Sequence, residues 1–128
     1  MNVVVDASAI AAVVFHEADG STVQAHVRDD TLFAPHLIDY ELMNVGLVKI
    51  RRGIGNELLI RGMLSKVPFL RIRRVSVATD AVIPLALQTG LSGYDAAYLW
   101  LAHSMDVELV TLDRKLASAD RSLRGHPA

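Results

Sequence analysis

Two short apolar runs, Val3-Val4-Val5 near the start and Leu109-Val110-Thr111-Leu112 near the end, each stop at a single aspartate, Asp6 and Asp113. A continuous run without polar alternation suits a strand covered on both faces, as parallel sheets require. Stretches with helical periodicity lie between the two runs. Strands alternating with helices predict an α/β fold with a mainly parallel sheet.

The coarse pattern is as follows. Ser8 is placed to cap a helix running to about His16, and an amphipathic helix covers 20 to 29. Thr31 to Ala34 reads as a strand stopped by Pro35, and 36 to 52 as a long helix ending near Gly53. Asn56 to Lys66 forms another helix. Phe69 to Val75 alternates apolar residues with arginines, like an edge strand. Ser76 starts a helix to Gln88 that Pro84 should kink. Gly90 to Gly93 breaks the chain before a helix over 94 to 105. Glu108 to Leu112 is a strand, and 113 to 119 a last helix.

The 128 residues suit one domain, with no repeat or linker. An apolar fraction of 52% supplies a core, and 5% aromatics means that aliphatics build it. The chain has no cysteine, which excludes a disulfide scaffold and a thiolate zinc site. The apolar stretch from 3 to 15 is broken by Asp6 and falls short of the about 20 residues that span a bilayer. No basic segment precedes it, so a secretory signal is not expected, and the reading is a soluble cytoplasmic protein without a membrane partner.

Net charge is −1, but eight of the thirteen Lys and Arg fall between 49 and 74: Lys49, Arg51, Arg52, Arg61, Lys66, Arg71, Arg73 and Arg74. Only Glu57 opposes them there. Such a segment can hold a phosphate backbone, or it can be the solvated faces of two helices and a strand.

Two further acids interrupt apolar segments: Glu41 in Leu37-Ile38-Asp39-Tyr40-Glu41-Leu42-Met43, and Asp95 in Ser92-Gly93-Tyr94-Asp95-Ala96-Ala97-Tyr98. Ligands of open parallel sheets bind beyond the carboxyl ends of the strands. Asp6 and Asp113 end strands, Asp95 opens a helix and Glu41 lies early in another, so all four can face one edge. Each also has a plainer role. Asp6 and Asp113 can cap helices, and Asp95 can complement a helix dipole. Glu41 has the weakest such excuse, because its neighbours predict a mostly buried helix face. Crowded carboxylates call for a cation, and all-oxygen ligands select Mg²⁺ or Mn²⁺ over Zn²⁺.

In Val4-Val5-Asp6-Ala7-Ser8-Ala9, Glu41 with Asn44, Leu91 to Leu99 and Leu109 to Leu116, the chain resembles PIN-domain ribonucleases, specifically VapC-type toxins of bacterial toxin–antitoxin pairs. The resemblance covers nearly the whole chain in order. It implies a three-layer α/β/α domain with a short central sheet of four or five strands, and a metal-dependent endoribonuclease leaving 3′-hydroxyl and 5′-phosphate ends. Asp6, Glu41, Asp95 and Asp113 match the family's acidic set, binding Mg²⁺ or its substitute Mn²⁺. Ser8 and Thr111 match hydroxyl positions beside it. Ser8 can orient Asp6 or cap its helix, and Asn44, one turn after Glu41, can tether that acid or fill a packing gap. Lys49, Arg51, Arg52, Arg73 and Arg74 would hold RNA. A VapB-type antitoxin and a homodimer, or a larger toxin–antitoxin assembly, are implied partners. The family's usual further strand finds no apolar run in Asp120 to Ala128.

A phosphoacceptor receiver-like signalling module is the alternative. It would need an acidic pair where Asp6 stands alone, an Asp after a central strand and a late lysine. The five histidines form no metal-ligand pair: His103 lies about 12 Å along the helix from Asp95. Trp100 reads as core. No Gly-rich phosphate loop or nucleophile elbow is present.

Overall fold

The computed structural model describes residues 1–125. Four strands form its sheet: β1 (Asn2–Val5), β2 (Thr31–Pro35), β3 (Arg73–Val75) and β4 (Glu108–Val110). Their order is β3-β2-β1-β4, and every neighbouring pair is parallel. Val5 pairs in register with Val110, and Pro35 with Val75, so the strands finish along a common edge. Seven helices surround the sheet: α1 (Ala7–Val14), α2 (Gly20–His26), α3 (Leu37–Arg51), α4 (Glu57–Leu64), α5 (Thr79–Thr89), α6 (Gly93–Met105) and α7 (Arg114–Leu123).

Topology sorts the helices into layers. The chain steps from β1 to β2 to β3 through α1 to α4, then returns across the sheet to β4 through α5 and α6. Crossovers between parallel strands are right-handed, so opposite directions of travel put the two helix sets on opposite faces. The result is the expected three-layer α/β/α arrangement with four strands. The order reverses between β1 and β4, and a crevice opens at such a reversal.

Packing follows from the apolar runs. Val3, Val4 and Val5 are buried, as are Ile10, Leu32, Ile38, Leu42, Leu99, Leu101 and Leu116. α6 lies against β1, β2 and β4, and α3 against β2 and α1. α6 is apolar nearly all round, and Ala96, Ala97, Tyr98, Leu99, Leu101 and Ala102 are all buried. A helix apolar all round belongs inside. Two glycines permit close helix contacts. A Cβ on Gly20 would stand 2.2 Å from the Ala12 carbonyl oxygen, and one on Gly46 would stand 2.9 Å from Ile60 Cγ2.

Several elements depart from the sequence pattern for local reasons. Asp6, not Ser8, caps α1: its carboxylate accepts from the Ala9 N–H, and Ser8 lies inside the first turn. The expected strand over 69 to 75 shrinks to Arg73–Val75, because Val67–Leu70 forms a 3-10 turn containing Pro68. Arg71 then reverses the chain at a φ of 55°. Ser76 caps nothing. Val77 packs on the core, and α5 begins only after the extended Ala78. Pro84 does lie inside α5. β4 stops at Val110, which frees Thr111 for side-chain contacts. The last helix reaches Leu123, and no fifth strand follows among the described residues. His126 lies outside them.

Candidate active site

Asp6 leaves the end of β1 only 4% exposed. Its Oδ1 accepts from the Ser8 hydroxyl at 2.7 Å and the Ala9 N–H at 3.0 Å. Its Oδ2 accepts from the Thr111 hydroxyl at 2.5 Å. The same hydroxyls accept in turn from the loop after β4: Ser8 Oγ from the Leu112 N–H at 2.9 Å, and Thr111 Oγ1 from the Asp113 N–H at 3.0 Å. Ser8 and Thr111 thus tie the exits of β1 and β4 together across the point where the strand order reverses.

The other three acids come from three helices. Asp113 caps α7, its Oδ1 accepting from the Leu116 N–H at 2.9 Å. Asp95 stands in the first turn of α6, behind the Ser92 cap. Glu41 lies in the second turn of α3, half-buried. Its Oε1 accepts a hydrogen bond of 2.6 Å from the hydroxyl of Tyr98. Glu41 Oε2, Asp113 Oδ2 and both Asp95 oxygens have no hydrogen-bond donor among the described residues.

Charge shows that the four acids form one group. Burial pushes the Asp6 carboxyl above its usual range, against the hydrogen bonds from Thr111, Ala9 and Ser8, and the charge of Asp113 adds to the rise. Burial also raises Glu41, with Tyr98 opposing and the charges of Asp95 and Asp6 adding to it. Asp95 is raised by burial and then by Asp113, while Lys115 pulls it down. The Tyr98 phenol is pushed up by burial and by its bond to Glu41. Asp6, Glu41 and Asp95 therefore each sense another acid of the set, although they start from distant parts of the chain. Among the described residues no three His, Cys, Asp or Glu side chains stand close enough to make a ready-formed ion cage. The group is open as well as electron-rich.

Other residues singled out in the sequence are placed differently. Asn44 is exposed and does not reach Glu41, whose tether is Tyr98 from across the fold. Lys49 pairs with Glu17 at 3.5 Å and lies 5.2 Å from the Phe15 ring centre. Arg51 and Arg52 are exposed at the far end of α3, about 15 Å along its axis from Glu41. Arg74 is committed to structure: Nε and Nη2 donate to Asp39 at 3.0 and 2.7 Å, and Nη1 donates to the Ile72 carbonyl at 2.6 Å. Arg73 is exposed over the Phe33 ring. His26 and His103 pair with Glu108 and Asp120, and Trp100 packs on the core.

Sequence reasoning missed two residues. Tyr98 was hidden because a tyrosine on an apolar helix reads as core. Its one signal is its place one turn after Asp95, on the same face. Lys115 donates to the Gly90 carbonyl at 3.0 Å and places a cation beside Asp95.

Comparison with known proteins identifies the family and agrees with the fold. The PIN domain family model matches residues 3–122. Ribonuclease VapC3 of Pyrobaculum aerophilum is 34% identical over 122 residues, covering 91% of this chain and 93% of the relative. The crystal structure of PAE2754, also from P. aerophilum, superposes with a TM-score of 0.74 at 28% identity, covering 96% of this chain and 95% of that one. Mycobacterium tuberculosis VapC20, described as a sarcin-ricin loop cleaving toxin, shares the fold with a TM-score of 0.65 at 14% identity, over 91% and 94% of the two chains. The receiver-like alternative is left without support, and the chain belongs to the PIN domain family, among its VapC-type members.

Proposed function

We propose that this chain is a magnesium-dependent endoribonuclease, the toxin of a toxin–antitoxin pair, acting as one nuclease unit in the cytoplasm. The observation that carries the reading is that carboxylates from the exits of β1 and β4 and from the early turns of α3 and α6 lie near enough along one sheet edge for Asp6, Glu41 and Asp95 each to feel the charge of another, without forming a closed cage among the described residues. Three of them, Asp6, Glu41 and Asp95, are raised by burial and then by the charge of other acids in the set. Family membership and the name of the 34% identical relative support the choice of RNA as substrate.

The donor set fits a hard divalent cation. It is all oxygen, partly buried and negative, and Lys115 lowers one of its carboxyls, Asp95. Asp6, Glu41, Asp95 and Asp113 would hold Mg²⁺, or Mn²⁺ in its place; Glu41, Asp95 and Asp113 each keep an oxygen free of hydrogen bonds among the described residues, whereas Asp6 would act through oxygens that also accept from Ser8, Ala9 and Thr111. Bound there, the ion would activate water for in-line attack on a phosphodiester and offset the developing charge. The chain's own residues do the rest. Ser8 and Thr111 hold Asp6 rigid, Tyr98 holds Glu41, and Asp113 is fixed by the helix it caps. Arg73, Arg51 and Arg52 supply exposed positive charge for the RNA backbone, while Lys49 and Arg74 are engaged with acids. Cleavage would inhibit translation and growth until a VapB-type antitoxin covers the site, and the working form is a homodimer.

The test is cleavage of bulk cellular RNA by purified protein. Cleavage is expected with Mg²⁺ or Mn²⁺, loss with EDTA, and a fall of at least about a hundredfold in Asp6→Asn. Activity that survives both chelation and substitution sinks the reading.

A further inference from the structure

Among the described residues Tyr98 is the largest fully buried side chain, at 1% exposure, yet it carries a hydroxyl. That hydroxyl makes one hydrogen bond, 2.6 Å to Glu41 Oε1, with a partner 57 residues away. The bond joins α6 to α3, helices from opposite layers of the sheet, and it meets at the edge where the acids gather. Asp95 and Tyr98 are three residues apart on α6, so one helix face carries an acid and the tether of another acid. Glu41 has three rotatable side-chain bonds, and Asn44, one turn after it on α3, is exposed to solvent. Without Tyr98 no described hydrogen bond would select a rotamer for Glu41.

We infer that Tyr98 is a positioning residue for the metal site. By occupying Glu41 Oε1 it fixes the carboxylate and would leave Oε2 free to serve as a metal ligand, while joining α3 to α6, the helix that carries Asp95. The inference deepens the proposed nuclease reading and rests on it. A phenylalanine would fill the same buried volume, so a purely packing role asks nothing of the hydroxyl. The orienting role asks for it specifically, because groups that hold metal ligands in place tune affinity as well as structure.

The experiment titrates Mn²⁺ into wild-type and Tyr98→Phe protein by calorimetry, beside RNA cleavage over a range of Mn²⁺ concentrations. Tyr98→Phe is expected to weaken Mn²⁺ binding by about tenfold to a hundredfold. Its cleavage should recover toward the wild-type rate as Mn²⁺ is raised. In a Glu41→Gln background, adding Tyr98→Phe should change Mn²⁺ affinity little further, because the residue acts through Glu41. Wild-type affinity in Tyr98→Phe, or a full additional loss on top of Glu41→Gln, overturns the inference while leaving the nuclease reading intact. Wild-type protein that neither binds Mn²⁺ nor cleaves RNA overturns both. Should Tyr98→Phe fold poorly, wild-type protein with ¹³Cζ-labelled tyrosine gives the same answer. The Tyr98 Cζ resonance must move as Mg²⁺ fills the site, and a resonance that stays fixed overturns the inference.

Discussion

Asp6 does two jobs with one carboxylate: it caps α1 through the Ala9 N–H and anchors the exit of β4 through Thr111. Its neighbours Glu41 and Asp95 share its electrostatic discomfort, and all three carboxyls are shifted upward. The sign of the pH effect follows. A carboxyl whose folded pKa exceeds its unfolded value binds protons more readily in the native state, so metal-free stability falls as pH rises through the folded value. Urea unfolding in EDTA should therefore show a midpoint contribution from these three carboxyls that is largest at the acid end of the carboxylate range and falls as pH is raised toward neutrality. Saturating Mg²⁺ should add more stability at the higher pH, since protons compete for its ligands. Glu41→Gln keeps an acceptor for Tyr98 and removes one charge. It should raise the metal-free melting temperature by a few degrees, on the order of 1 kcal/mol, while abolishing cleavage. A lower melting temperature in Glu41→Gln would contradict this account of the acids.

At the scale of elements, the site depends on where helices start. Asp6, Ser92 and Asp113 cap α1, α6 and α7, so three helix N-termini are set at or beside the acidic group. These starts were largely legible: apolar runs ending at an acid, and Ser92-Gly93 before an apolar helix, carry their own signals. β3 was not legible. Alternation from Phe69 to Val75 looks like a strand, but Pro68 and the left-handed Arg71 turn the chain first, and only Arg73–Val75 reaches the sheet. α2 is held by a contact the sequence does not announce, the approach of Gly20 to the Ala12 carbonyl. Gly20→Ala should cost about 1–3 kcal/mol, from overpacking against backbone that cannot yield, and thermal melting would show it. A melting temperature equal to the wild type would mean that α2 shifts freely.

At the scale of the whole molecule, the basic segment breaks up. Its eight cations share one stretch of sequence, yet Arg74 ties β3 to α3 through Asp39, Lys49 pairs with Glu17, and Arg51 and Arg52 stand at the far end of α3. Replacing both Arg51 and Arg52 by alanine should raise KM for RNA severalfold and flatten its salt dependence, with kcat nearly unchanged, because distant cations contact backbone phosphates rather than reacting atoms. A drop in kcat alone would place them at the chemistry instead. The sequence by itself determined the α/β class, the parallel sheet and the four acids, because periodicity and a lone charge in an apolar run are local properties of a chain. Only the tertiary structure decided which partners those acids have. Ser8 reaches across to the loop after β4, Tyr98 rather than Asn44 holds Glu41, and Lys115 stands beside Asp95. Such contacts join residues far apart in the chain, and they exist only once β1 and β4 lie side by side and α3 and α6 close over the end of the sheet.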